Sequence, residues 1–261
     1  MVPTRLTDLR RPVVLFAFSG WNDAGDAATG VIDHLTDVYE TEFGFQLDPD
    51  DYYDLTENRP VLVRQDNGER SVQWATTELL VAHLRDRDLV LVNGPEPNVR
   101  WRAFCGALVS AFRSIEPERV IAMGAMLADA PHSRPVPVSE DGTDYEGPTG
   151  IVGVLAQACR DAGLTTTSLW ASVPHYVAEP PNPKATLALL QRVGEFIDVD
   201  LDARELPEHA ATWESRVTDL VAEDPDVAEY VSTLEVRYDT AEATGDEIAY
   251  EFERYLRRRE R

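Results

Sequence analysis

Short apolar runs alternate with stretches of helical periodicity along the first three quarters of the chain. Val13–Phe18 is apolar throughout and ends at Ser19-Gly20, which is typical of a buried strand leaving a sheet. From Ala24 to Leu35 the apolar residues recur instead at helical spacing. The chain therefore opens with a strand, a tight loop and a helix, the first half of a βαβ unit.

The same alternation continues downstream. Apolar, β-branched runs predict strands, and amphipathic stretches predict helices. Together they predict an α/β fold, a three-layer α/β/α arrangement with a largely parallel central sheet. The further strands are expected at Phe43–Leu47, Leu89–Val92, Val120–Met126, Val136–Val138 and Thr165–Val173, and the helices from Asn98 through Phe112, at Ile151–Ala162 and at Ala185–Phe196.

A hairpin is predicted between the second strand and the next core strand. Val61–Gln65 and Ser71–Trp74 flank Asp66-Asn67-Gly68. Asn-Gly between two short strands favours a tight turn, because both residues tolerate positive φ.

Threonine and glycine residues mark expected helix ends. Thr76 or Thr77 is expected to cap a helix that follows the hairpin. Thr149 is expected to cap the helix at Ile151–Ala162, and Gly163 to close it. The helix after the hairpin would bury Leu79, Leu80 and Leu84.

The composition changes after Ile197, where an acidic linker over residues 198–209 leads into three amphipathic stripes. We divide the chain into an α/β core, residues 1–197, and a C-terminal helical extension, residues 198–261. Each stripe has one apolar face that must be covered. We favour an appendage packed on the core over a subunit interface. The positive charges of Arg257–Arg261 are expected to interact favourably with the negative end of a helix dipole at its C-terminus. The stripes are Trp213–Val221, Val227–Leu234 and Ile248–Leu256.

Charge limits the classes of partner. The chain carries 47 acidic and 24 basic residues, a net charge of −23, which argues against nucleic acid and anionic membranes. No apolar run is long enough to span a bilayer and no signal-like region precedes the first strand, so we expect a cytoplasmic protein. Cys105 and Cys159 lie far apart in predicted helices and are expected to be buried thiols, with no zinc or redox motif.

The loop after the first strand is polar and acidic. A glycine-containing loop before a helix can hold an anion, but Asp23 and Asp26, beside Asn22, would repel a phosphate. We favour capping of the helix by these carboxylates, with a cation or polar-ligand site second and a phosphate site third. Gly20 and Gly25 are not followed by Lys-Ser/Thr, so the loop is no P-loop.

Polar and aromatic side chains follow each predicted core strand. In a parallel sheet the loops that follow the strands meet at one edge, where open α/β folds place their ligands. This placement predicts a polar pocket for a ligand, with no catalytic role assigned, no cofactor and no metal. Its candidate ligand-binding residues are Trp21, Asn22, Asp23, Glu96, Arg100, His132, His175 and Tyr176, with Ser19, Asn98 and Asp129 nearby in sequence.

Each candidate also has a purely structural interpretation. Glu96 could pair with Arg100 at the surface, His132 could be solvated in its proline-rich loop, and His175 could bond a backbone carbonyl. His34 and His83 fall within predicted helices and need no role. No His-x-x-x-His or His-Glu-x-x-His pair and no Ser-His-Asp order stands out.

Six stretches stand out along the chain: Phe18–Ala27, Gly94–Arg102, Met123–Met126, Tyr145–Gly150, Val173–Val177 and Pro181–Thr186. In their sequence and order they resemble the bacterial, actinobacterial branch of the proteasome-assembly-chaperone-2 family. The resemblance covers roughly residues 10–200, and the C-terminal helices match less clearly. It implies a fold similar to nucleoside phosphorylases and related hydrolases.

The resemblance also implies a function. Eukaryotic members of the family help to assemble the proteasome α-ring, and members self-assemble into small rings or dimers. It implies no agreed catalytic residues. Our hypothesis is a non-catalytic assembly protein whose partners are itself, as a homo-oligomer such as a trimer, and proteasome subunits. The alternative is a small-molecule-binding protein or a hydrolase- or phosphorylase-like enzyme.

Overall fold

A computed structural model describes residues 6, 8–65, 68–140 and 146–241. Its main sheet has seven strands in the spatial order β2-β5-β6-β1-β7-β9-β8, and β3 and β4 form a separate two-stranded hairpin. The strands are β1 Val13–Phe16, β2 Thr41–Gln46, β3 Val61–Arg64, β4 Arg70–Gln73, β5 Glu78–His83, β6 Asp88–Asn93, β7 Arg119–Ala128, β8 Val138–Glu140 and β9 Thr166–Pro174.

Seven helices accompany these strands in the described residues. The last helical segment, α7, occupies residues 225–241. Within the described ranges, no helix is both long enough and apolar enough to cross a membrane. The other six are α1 Ala27–Val38, α2 Pro49–Tyr52, α3 Trp101–Ser114, α4 Ile151–Asp161, α5 Pro183–Ile197 and α6 Leu206–Glu223.

The centre of the sheet is parallel and its margins are antiparallel. β1 pairs in parallel with β6 and β7, and β7 pairs in parallel with β9. β5 and β2 extend the sheet on one side, and β8 on the other, by antiparallel pairing. The predicted three-layer α/β/α fold with a largely parallel sheet is confirmed.

Strand β1 shows how the sheet divides the core. All four of its residues are buried, as expected of a central strand covered on both faces. Val13 and Leu15 pack with the cluster of α1 and α5, whereas Val14 and Phe16 pack with the cluster of α3 and α4. Successive side chains point to opposite faces, so a continuous apolar run serves two hydrophobic layers at once.

The predicted helix after Thr76 is wrong, because residues 78–83 form strand β5. Leu84 N donates to the Arg87 carbonyl at 3.0 Å, and this turn returns the chain directly into β6. Six residues then lie between two sheet partners, β2 and β6, and a run this short is compatible with a strand as well as a helix. His83 accordingly lies in a strand, opposite Asp88.

Of the other local predictions, some are confirmed and one is wrong. The β3–β4 hairpin is confirmed, although Asp66 and Asn67 of its turn lie outside the described residues. Gly163, with φ of 80°, closes α4 as expected. Thr149 does not cap α4. Gly150 occupies the N-cap position, and glycine has no side chain that could accept a hydrogen bond from the first turn of the helix. Cys105 and Cys159 are buried, free thiols, as predicted.

The C-terminal helices pack on the core with one face each. Val217 of α6 is buried, and so are Val231 and Leu234 of α7, whereas Leu220 is exposed. α6 lies against α5, which itself lies against the sheet. The first two predicted stripes are therefore helical and partly covered within one chain. The third stripe, Ile248–Leu256, and Arg257–Arg261 lie outside the described residues, and the division at residue 197 stays a prediction.

Candidate functional site

The loops that follow β1, β6, β7 and β9 meet at one edge of the sheet, called here the carboxyl edge. The parallel pairing of these strands brings their ends together, as predicted. The candidate side chains do not converge on one pocket there. Five of them form two separate groups, and Asp23, Arg100 and Trp21 belong to neither.

The first group links Asn22, Glu96 and the start of α4. Asn22 is 1% exposed, and its Nδ2 donates to Glu96 Oε1 at 2.8 Å. The same Glu96 oxygen accepts from the backbone N of Ile151, the first residue of α4, also at 2.8 Å. Glu96 therefore caps α4 and offsets its positive end. The alternative pairing of Glu96 with Arg100 is wrong.

Gly150 makes this arrangement possible. A Cβ atom built on Gly150 would collide with the side-chain amide of Asn22. The backbone before α4 therefore touches the amide, and Asn22 Oδ1, facing it, has no hydrogen-bond partner among the described residues. Asn22 is held at the other end by its own carbonyl, which accepts from Ala125 N at 2.8 Å.

Asp23 caps α1 from the loop. Its carboxylate accepts from Ala28 N at 2.6 Å, from Thr29 N at 3.3 Å and from the Thr29 hydroxyl. Burial raises the pKa of Asp23 to about 6, against the opposing effect of these donors. The capping interpretation of the loop is confirmed, and Asp23 provides the cap, while Asp26 is exposed in a left-handed conformation.

The second group joins the carboxyl edge to the C-terminal helices through His132. This histidine is buried, and its backbone N and Nδ1 each lie 2.8 Å from the Tyr176 hydroxyl. Its Nε2 lies 3.1 Å from Thr218 Oγ1 on α6. Burial, followed by the charge of Lys184, lowers the pKa of His132. The expectation of a solvated His132 is wrong, because α6 covers it.

His175 belongs to the same group and contacts α7. Its Nε2 lies 2.9 Å from the Tyr230 hydroxyl and 3.3 Å from Asp129 Oδ1. The Tyr230 hydroxyl in turn donates to Asp129 Oδ1 at 3.0 Å. The expected bond from His175 to a backbone carbonyl is replaced by these side-chain contacts, which attach α7 to the ends of β7 and β9.

Lys184, the single lysine of the sequence, reinforces this attachment. Its Nζ donates to the His132 carbonyl at 2.5 Å and to Glu214 Oε2 of α6 at 2.6 Å. The sequence analysis missed Lys184 and its partners on the C-terminal helices. Hydrogen-bonding groups within the predicted amphipathic stripes, such as the hydroxyls of Thr218 and Tyr230, were the sequence signal that could have indicated this contact.

Arg100 and Trp21 lie apart from both groups. Arg100 forms an ion pair with Asp51 of α2 and lies over the Tyr52 ring, 5.7 Å from its centroid. Trp21 projects into solvent with 71% of its surface exposed. The predicted ligand-binding role of the eight residues therefore stays a prediction, and in the described part of the chain no cluster of histidine, cysteine and carboxylate side chains suits a metal.

Large apolar side chains, by contrast, are exposed along the carboxyl edge. Trp21 follows β1, and Val99 follows β6. Met126 and Leu127 lie at the C-terminal end of β7, and Leu127 is 52% exposed. An apolar surface of another protein would therefore meet several apolar side chains at this edge.

Comparison with known proteins identifies the family. The sequence model of the PAC2 family matches residues 17–221, a span that begins directly after β1 and ends in the last turn of α6. The chain belongs to the PAC2 family. Among proteins of curated function, none matches the chain in sequence.

Solved structures of PAC2 proteins support this membership. A PAC2 family protein from Streptomyces avermitilis is 48% identical, with a TM-score of 0.80, over 84% of this chain and 99% of that one. The Mycobacterium tuberculosis proteasome-assembly chaperone homologue Rv2125 is 44% identical, with a TM-score of 0.77 and the same coverages. A protein of unknown function from Corynebacterium glutamicum is 27% identical, with a TM-score of 0.82, over 91% and 94%. The fold is thus shared with proteins from actinobacteria.

Proposed function

We propose that this PAC2 protein is a non-catalytic assembly factor that binds proteasome subunits. Its family membership and its similarity to a proteasome-assembly chaperone homologue support the proposal. The proposal includes the cytoplasmic location and the self-association expected from the sequence. It concerns binding of a protein surface and requires no chemical step.

The observation that carries the proposal is the composition of the carboxyl edge. Asn22, Asp23, Glu96, His132 and His175 each have partners within the fold, where they cap helices or hold the C-terminal helices in place. Four large apolar side chains, Trp21, Val99, Met126 and Leu127, are exposed there beside the polar side chains of Arg100 and His175. Exposed apolar groups of this size favour contact with another protein.

The alternative, a small-molecule-binding protein or a hydrolase- or phosphorylase-like enzyme, has less support. A catalytic base or nucleophile must be able to reach a substrate. His132 is buried between Tyr176 and α6, and Glu96 is occupied by two donors. His175, the more accessible histidine, already contacts Asp129 and Tyr230.

Native mass spectrometry of the tagged protein, gently purified from its own cells, tests the proposal. We expect proteasome subunits to be recovered with the wild type and lost with the pair Trp21→Ser and Leu127→Ser. The matched control is the pair Leu220→Ser and Val236→Ser, which removes two equally exposed apolar side chains from α6 and α7. This control should keep the complex.

Three outcomes would contradict the proposal. Wild-type protein that carries a small bound mass and no proteasome subunit would support the alternative function. If the Trp21/Leu127 variant recovers as much of the proteasome subunits as the wild type does, the carboxyl edge is not the binding surface. Loss of the complex only in the Leu220/Val236 pair would transfer that role to the C-terminal helices.

A further inference from the structure

The β3–β4 hairpin, called here the arm, has its strands at residues 61–64 and 70–73 and lies outside the main sheet. Leu62 and Val72 face each other across its two strands and are 67% and 46% exposed. Val61 and Trp74 are also exposed. The arm therefore carries apolar side chains that are not covered within a single chain. A two-stranded hairpin is only marginally stable in water unless it packs on another surface.

Two arginines lie beside this apolar pair. Arg64 and Arg70 are directly opposite each other and, by the alternation of side chains, share the face of Leu62 and Val72. Like charges in this position destabilise a hairpin. Neither arginine forms a salt bridge with a carboxylate of a described residue, although acidic residues outnumber basic ones about two to one in the chain. The face of the arm that carries Leu62 and Val72 is therefore cationic as well as apolar, although Asp66 and Glu69 make the net charge of the whole arm zero.

A complementary cleft lies at the base of the arm. It has a volume of about 490 Å³ and is bounded by α1, by β5 and β6, and by Trp74 at the end of the hairpin. Asp26, Asp33 and Glu78 line it together with the apolar side chains of Ile32, Leu80 and Leu91. Asp33 also accepts from Asn93 at 3.0 Å, and burial raises its pKa.

We propose that the arm of one copy of this chain docks in the acidic cleft of a second copy. Arg64 and Arg70 would face the cleft carboxylates. Leu62 and Val72 would lie against the parts of the lining that are still accessible, Leu80 and Trp74, since Ile32 and Leu91 are already buried. Both complementary surfaces are present on every copy, which is the requirement for association of identical chains. Arg64 and Arg70 are not among the residues that line the cleft of their own chain. The inference rests on the self-association proposed above and is independent of the client.

Sedimentation velocity over a range of protein concentrations gives the first test. We expect the wild type to associate and the pair Arg64→Glu and Arg70→Glu to sediment as a monomer. The control pair Arg102→Glu and Arg113→Glu makes the same change in net charge at exposed positions of α3 and should associate like the wild type. Circular dichroism confirms that each variant is folded.

A charge-swap experiment tests the pairing itself. Asp33→Lys with Glu78→Lys should also yield a monomer, whereas an equimolar mixture of this variant with the arm variant should associate. In the mixed pair opposite charges meet in both contacts, because the glutamate arm faces the lysine cleft and the unchanged arginine arm faces the unchanged acidic cleft. Failure of the mixture to associate would overturn the pairing of these residues.

Two further outcomes separate this inference from the proposals on which it rests. A wild type that stays monomeric at every concentration would overturn both the self-association and the arm contact. An arm variant that associates as strongly as the wild type would overturn the arm contact alone, whether or not that variant still binds proteasome subunits. Recovery of those subunits by the wild type is measured separately and bears on the client.

Discussion

The Glu96 carboxylate accepts a hydrogen bond from the backbone N of Ile151 at 2.8 Å, across 55 residues of sequence. The contact joins the loop after β6 to the start of α4, and Asn22 completes it from the loop after β1. Three loops of the carboxyl edge are thereby fastened to one another by a single carboxylate.

Replacing Glu96 with alanine should destabilise the fold. The variant loses the cap of α4 and leaves the buried Asn22 amide without its acceptor, so we expect the free energy of unfolding to fall by roughly 1 to 2 kcal/mol. Glu96→Gln keeps an acceptor oxygen and should lose less. Urea denaturation measures both. Glu179→Ala, at an exposed loop position, is the control, and an equal midpoint for Glu96→Ala and this control would contradict the capping role.

Gly150 should tolerate no side chain. Gly150→Ala places a methyl group against the Asn22 amide, and relief requires movement of either the loop or the helix, at a cost of roughly 1 to 3 kcal/mol. Gly106→Ala in α3 is the matched control, because a Cβ there meets nothing within 4 Å and alanine favours a helix by roughly 0.5 to 1 kcal/mol. The two variants should therefore shift the thermal midpoint in opposite directions. A shift in the same direction would refute the close contact.

Asp23 should make stability depend on pH. Its pKa is raised from 3.8 to about 6 in the folded state, so the folded protein holds this proton more tightly than the unfolded chain does. The contribution of Asp23 to stability is therefore greatest at acidic pH and falls as the pH rises through about 6. Between about pH 4.5 and about pH 7.5 the wild type should lose about 2 kcal/mol relative to Asp23→Asn.

Urea denaturation of the two proteins across that pH range measures the difference directly. The difference cancels the many other carboxylates, which titrate alike in both proteins. Asp219→Asn, an exposed position on α6, serves as the control and should follow the wild type at each pH. A wild-type minus Asp23→Asn difference that rises with pH would mean that the helix donors outweigh burial.

The sequence predicts those parts of the fold that depend on local periodicity. β1 and α1 follow directly from a continuous apolar run and a helical one, and their repetition implies the parallel sheet. Strand β5 could not be assigned in this way. Its short apolar run suits a helix or a strand, and the turn from Leu84 to Arg87 that joins it to β6 decides between them.

The candidate site was less predictable than the fold because its contacts are long-range. A local rule assigns the cap of α4 to the nearby Thr149, but the carboxylate that bonds there belongs to Glu96. The environment of His132 depends on the position of α6, which no pattern near residue 132 indicates. Topology alone correctly places both residues at the carboxyl edge, while their partners determine what they do there.

The attachment of α7 should depend on the Tyr230 hydroxyl. Tyr230→Phe keeps the ring against His175 but removes the bonds to His175 and Asp129, so α7 should open more easily while the sheet keeps its stability. Hydrogen exchange across residues 225–241 should become several-fold faster, as expected for the loss of two side-chain hydrogen bonds. Val236→Ala, at an exposed position of the same helix, should leave the exchange unchanged. Equal exchange in Tyr230→Phe and the wild type would show that apolar packing of Val231 and Leu234 alone holds α7.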